Sequence, residues 1–382
     1  MSTSEKKRML YVDNIRILLI TLIMLLHVAI TYGAPGDWYY HETLFEDLDL
    51  IPGIVYALFN MTVQAFALGF FFMISGYFTP GSYDRKGTGP FLRDRMLRLG
   101  IPLMFYILTI HPIIDFTRDV VVRGRDISVA GLGVYTDKWA EFGTGPMWFV
   151  AALLIFNIFY VMWRRLTKST DPSVSHSGSV PGNGKMIVFA LAVGIMSFIV
   201  RIWLPVGWSF ETLGFQFPHF SQYISMFIIG LVAYRGNWFE GLTDAKGIRW
   251  GMVTVLLIVL CPIVLLLGGA AEDSTIIMGG ISWQALFYAV WEQFICIGMI
   301  AGLSVLFRKV LNHQGSVLRA MSKSAYTVYI IHAPVIVFLG LALRNIELYP
   351  PVKFLLVAPV AVSLGFFLSN VIRKLPLARK IL

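Results

Sequence analysis

Cysteine occurs only twice in these 382 residues, at Cys261 and Cys296, so no disulfide framework is expected. Charge is scarce as well. Charged residues are 14% of the chain against 57% hydrophobic, and the mean hydropathy is +0.71, which excludes an ordinary soluble globular domain. There is no P-loop, no Cys-x-x-Cys pair, no His-Glu-x-x-His and no glycine-rich dinucleotide fingerprint. These absences argue against ATP-driven transport and against a metalloprotease. The seven histidines show no metal-ligand spacing, so neither a metal nor a bound cofactor is expected. No repeat of solenoid length and no appended soluble domain are evident, and residues 1–382 read as a single domain.

What the chain has instead is a series of apolar stretches, each long enough to cross about 30 Å of hydrocarbon. Ten are expected, at 15–33, 52–78, 99–117, 146–163, 186–205, 219–234, 250–269, 283–306, 324–343 and 352–371. The first is too long for a signal-peptide core and reads as a retained anchor. Of the 31 Lys and Arg residues, 23 fall in segments that share a side with the N-terminus, and six in the opposite loops. The loop 34–50 has none and carries Asp37, Glu42, Glu46, Asp47 and Asp49. The positive-inside rule then puts both termini in the cytoplasm, which requires an even number of spans. The fold expected is all-α, a multi-pass protein of a cell (inner) membrane. The net charge of +9 reflects topology and offers no support for nucleic-acid binding. The Ser/Gly/Pro-rich stretch 168–184 reads as a flexible cytoplasmic linker.

Ionisable residues inside spans are costly and are by default functional candidates. His27 lies in the middle of the first apolar run, eleven residues after Arg16. Eleven steps of an α-helix return to within about 20° of the same face, so the two side chains share a stripe and sit roughly 16 Å apart. Asp13 lies three residues before Arg16 and can pair with it. Near the other end, Tyr326-Thr-Val-Tyr329-Ile-Ile-His332 puts Tyr329 and His332 on one face, with His332 at a depth comparable to that of His27. A histidine satisfied by hydrogen bonds across helices would give the same pattern at His332. Glu292, in the eighth span, either pairs with a cation or orients a histidine. Arg95 and Arg98 suit the phosphates of a ligand at the cytoplasmic edge, because a guanidinium binds phosphate oxygens bidentately. The positive-inside rule alone would also place them there. Ser75 ends the second span, and Trp148 opens the fourth, where an aromatic belt is the default explanation.

Taken together, these residues resemble the membrane-bound acyltransferase-3 family. Arg16-x10-His27 is similar to its first-span pattern, Arg95-x-x-Arg98 before Ile-Pro to its R-x-x-R element, Phe-Phe-Met-Ile-Ser75-Gly-Tyr to its second-span signature, and Trp148-Phe149 to its W-F element. Tyr-Val-Asp13-Asn-Ile-Arg16 looks particularly like the branch that succinylates periplasmic glucans. The resemblance implies transfer of an acyl group, acetyl or succinyl, from a cytoplasmic acyl-CoA to a hydroxyl of an extracytoplasmic glycan. Arg95 and Arg98 would hold the CoA phosphates, and His27 would serve as general base or acyl relay. The Asp13–Arg16 pair, His332 and Glu292 would support it. The competing class is a secondary transporter with a His-centred proton relay. Such proteins commonly show repeated halves, which this chain does not display.

Overall fold

The computed structural model describes residues 8–124, 143–167, 179–210 and 213–381. Ten long helices follow the expected spans closely: α1 Leu10–Thr31, α2 Leu50–Lys86, α3 Thr88–Arg123, α4 Gly145–Leu166, α5 Asn183–Trp203, α6 Phe220–Arg235, α7 Asp244–Leu267, α8 Trp283–Val310, α9 Ser316–Leu343 and α10 Pro350–Ile372. Nine of them are long and apolar enough to cross a membrane. The sixth expected span is the short α6, 16 residues led in by a 3-10 turn at Phe217–His219. Among the described residues there is no β-sheet, only two isolated bridges. The chain is an all-α, multi-pass membrane protein. Most of the expected linker, 168–178, lies outside the described residues.

Burial sorts the helices into a centre and a rim. In α1 and α8, 67% of the apolar window is buried, against 22–28% in α5, α7 and α10. The rim helices expose rows of large apolar side chains, such as Val255, Leu256, Val259 and Ile263 on α7. In water such a face would be an aggregation site, whereas in a bilayer it is the lipid contact. α1 is buried on nearly every side, so its polar residues face protein.

α2 packs most extensively on α6, and glycines make the crossing close. A Cβ on Gly76 would lie 2.2 Å from the Phe227 carbonyl oxygen, and one on Gly230 would lie 2.2 Å from that of Met73. Small residues allow this backbone contact between membrane helices. Gly76→Ala is therefore expected to force the pair apart and cost about 1–3 kcal/mol as overpacking. A lower thermal unfolding midpoint in detergent, with secondary structure intact, would record it.

α3 is not continuous α-helix. Two π-helical turns, Met96–Gly100 and Tyr106–Ile110, interrupt it. Such turns re-aim side chains and recur at functional sites. Between α1 and α2 the chain folds back on itself: Glu42 N–H donates to the Thr31 carbonyl at 2.8 Å. Lys353 at the start of α10 is buried, pairs with Glu42, and donates to the carbonyls of Leu343 and Ile346 at 2.9 and 2.8 Å. The loop is thereby tied down over the end of α1.

Candidate functional site

His27 sits four residues before the end of α1, nearer that end than the middle of the helix, because α1 begins at Leu10 rather than at residue 15. The fold-back loop compensates by covering it. The Trp38 indole lies flat on the His27 imidazole, with ring centroids 3.8 Å apart and 13° between planes. The His332 ring is 5.3 Å away on the other element, and Trp38 and His332 are 6.0 Å apart. The comparable depth expected for the two histidines becomes direct ring contact. His332 Nδ1 lies 2.6 Å from the Tyr329 carbonyl, which can only accept, so Nδ1 carries the proton and Nε2 of the neutral ring offers its lone pair. His27 Nδ1, His332 Nε2 and Trp38 Nε1 are all buried without a hydrogen-bond partner among the described residues.

The arginines gather at the other end of α1. Arg16, Arg95, Arg98 and Lys323 line one cavity of about 420 Å³, together with Ser75, Thr79 and Tyr326. Asp13 pairs with Arg16 at 3.6 Å, as the spacing requires, and also with Arg8 at 2.7 Å. Arg98 is held by Asp94 at 3.1 Å, and the Arg98 carbonyl accepts from the Tyr326 hydroxyl at 2.7 Å. Arg95 has no carboxylate partner among the described residues and stacks on Phe91, 4.9 Å from the ring centroid. A cluster of cations with one uncommitted guanidinium is an anion-binding arrangement.

A second, smaller cavity of about 70 Å³ is lined by His27, Gln64, Trp148 and Gln216. Tyr329 and Phe149 line both cavities. Their rings meet edge to face at 5.8 Å, and the Tyr329 hydroxyl donates to the Pro146 carbonyl at the opening of α4. Phe149 of α4 and Tyr329 of α9 thus border both the arginine cavity and the histidine cavity. Within the Trp148-Phe149 element, Phe149 borders both cavities and Trp148 borders the smaller one.

Glu292 is not part of this arrangement. It lies in a separate buried cluster, 2.5 Å from Arg201 on α5 and 3.6 Å from His219 Nδ1 in the turn before α6. Arg201 also donates to the Pro218 carbonyl at 3.2 Å and sits over the Tyr288 ring at 5.4 Å. Glu292 thus pairs with a cation, Arg201, and also lies beside a histidine, His219, though not beside His27 or His332.

On the far side of Trp38 stands a network that the sequence did not announce. The Tyr39 hydroxyl is 2.6 Å from His111 Nδ1 and 3.1 Å from the Tyr106 hydroxyl. His111 Nε2 is 3.4 Å from Asp115, and Arg118 bridges Asp115 at 3.1 Å and the Tyr39 carbonyl at 3.3 Å. The second π-turn of α3 immediately precedes His111. Gly145 fits against this network only as glycine: its φ is +47°, and a Cβ there would lie 2.0 Å from the Tyr39 hydroxyl oxygen.

The family model described as an acyltransferase domain matches residues 9–370. Among curated proteins, the chain is similar to Glucans biosynthesis protein C of Escherichia coli O157:H7 (strain EC4115 / EHEC) and to that of Shigella dysenteriae serotype 1 (strain Sd197). Each is 23% identical over 353 residues, covering 89% of this chain and 85% of the relative. No solved structure matches it.

Proposed function

The chain belongs to the acyltransferase-3 family, and on that premise we propose that it moves a short acyl group, acetyl or succinyl, from acyl-CoA to a hydroxyl of a glycan across a cell membrane. The observation that supports this most is the shared wall: a polycationic cavity and a histidine-lined cavity meet at Phe149 and Tyr329. A phosphate-rich donor needs the first, and a hydroxyl nucleophile needs a base in the second. The positive-inside distribution assigns the arginine cavity to the cytoplasm, where acyl-CoA is made. The glycan acceptor comes by analogy with the relatives named for glucan biosynthesis.

In this reading Arg95, Arg98, Arg16 and Lys323 hold the CoA phosphates, and the thioester reaches His27 past Tyr329. His27 takes the hydroxyl proton, or carries the acyl group as a relay. A positioned imidazole contributes about 10²–10⁴-fold as a general base. His332, stacked against His27 with its Nε2 unpartnered among the described residues, supports it. Asp13 holds Arg16 at the inner end of the same helix, and Ser75 borders the donor cavity.

Comparing the acylated glycans of the cell envelope with and without the gene by mass spectrometry tests the reading. Loss of one acyl-sized mass from one species is expected. Unchanged glycans with altered uptake of a solute would favour a transporter instead. For the donor side, Arg95→Ala is expected to raise KM for acyl-CoA about 10–100-fold, the loss of one charged hydrogen-bonding group, with a much smaller change in kcat. An unchanged KM in steady-state assays on membranes would remove Arg95 from the donor site.

A further inference from the structure

We propose that the indole N–H of Trp38 is a catalytic hydrogen-bond donor to the acyl carbonyl oxygen, an inference that rests on the acyl-transfer reading above. Buried Trp N–H groups normally have an acceptor. Trp38 Nε1 is buried and has none among the described residues. An indole nitrogen can only donate, so whatever completes it brings a lone pair. The ring lies against His27 at 3.8 Å and within 6.0 Å of His332, whose Nδ1 and Nε2 respectively are also without partners. One indole donor and two imidazoles are stacked together, His27 being the one that lines the smaller cavity, and they make up the set of groups that attack on a thioester carbonyl requires. A general role as a sugar-stacking platform fits less well, because one indole face is already taken by His27.

The indole is also held in place by more than its own contacts. Trp38 lies in a loop without regular structure, and its neighbour Tyr39 is fixed by the hydrogen bonds to His111, Tyr106 and Arg118. Tyr39, His111 and Asp115 are positioning residues for the indole, a preorganised setting in which a fixed donor is effective.

The acceptor hydroxyl oxygen attacks the thioester carbon, the C–O bond forms, and the hydroxyl proton passes to His27. The carbonyl oxygen becomes negative and accepts from Trp38 N–H, which neither gives up nor gains a proton. The C–S bond then breaks, the sulfur takes the proton from the imidazolium, and the products are an ester and the CoA thiol.

The test replaces Trp38 in the full chain, reconstituted in lipid, with 3-benzothienylalanine, which keeps the bicyclic shape and has sulfur in place of N–H. The acyl donors are acetyl-CoA and succinyl-CoA. The expected result is a kcat lower by about 10²-fold, the usual loss for one such donor, with KM for acyl-CoA and the unfolding midpoint unchanged. Reintroducing an N–H with 7-azatryptophan should restore most of the rate. Trp38→Phe, which keeps an aromatic face without a donor, should show the same fall and serves where the unnatural residue is not incorporated. Wild-type transfer with undiminished kcat in the donor-less variants, or a change confined to KM for the glycan, overturns the inference alone. No transfer by the wild type from either donor overturns the parent reading and this inference with it.

Discussion

His27→Ala is expected to lower acyl transfer by about 10²–10⁴-fold, the range for loss of a positioned general base, while leaving acyl-CoA binding unchanged. The two effects separate because the cavity proposed for the donor is lined by Arg16, Arg95, Arg98 and Lys323, and Arg16 and His27 stand roughly 16 Å apart along α1. His27 is only partly buried and its Nδ1 has no partner among the described residues, so its removal breaks no hydrogen bond described in the fold. Normal membrane insertion, normal unfolding and normal titration with acyl-CoA should therefore accompany the loss of turnover. If His27 instead carries the acyl group, stopped reactions of the wild type will contain an acyl-imidazole that the variant lacks. A variant within a few-fold of wild type in turnover would remove His27 from the chemistry.

The second large effect concerns stability. Glu292→Leu leaves Arg201 buried without its carboxylate, and breaking a buried pair in this way costs about 3–5 kcal/mol. Set against a total stability of about 5–15 kcal/mol for a typical domain, that should sharply reduce folded protein in the membrane. The Arg201 side chain is 1% exposed and ties α5 to α8 and to the turn before α6 through Glu292, His219 and the Pro218 carbonyl. Replacing both partners with apolar residues, Arg201→Met with Glu292→Leu, should recover yield and unfolding midpoint, since such replacements of buried ion pairs are often neutral. Acyl transfer should return with them if the cluster is a structural tie. A double variant that is fully folded yet inactive would instead return Glu292 to the catalytic set that the sequence suggested.

What could be read from the sequence was whatever hydropathy, helix period and charge asymmetry encode. All ten helices fall on expected apolar runs, and the Asp13–Arg16 pair, the nearness of Arg95 to Arg98, and the approach of His332 to His27 follow from spacing and depth, whereas the cavity that Arg95 and Arg98 share with Arg16 came from packing. The site's other half was not legible, for specific reasons. Trp38 reaches His27 through a fold-back loop that has no periodicity and is fixed by Lys353, more than 300 residues away. Arg201 hides within an apolar span, and its partners come from residues 219 and 292, so their meeting depends on helix rotation and register rather than on any local pattern. His111 is aimed at Tyr39 after a π-turn that no propensity marks. Ring-to-ring and charge-to-charge contacts between distant elements are products of packing, which is where sequence periodicity stops.

The central claim is that the arginine cavity and the histidine cavity are two ends of one acyl-transfer site. It is tested most directly with the purified chain in proteoliposomes, with labelled acyl-CoA on the side of the arginine cavity and glycan on the other. Labelled glycan is expected on the far side with the wild type, none above background with His27→Ala, and a weakened acyl-CoA dependence with Arg95→Ala. Transfer that persists in His27→Ala, or label that reaches the glycan equally well with donor and acceptor on the same face, would contradict it.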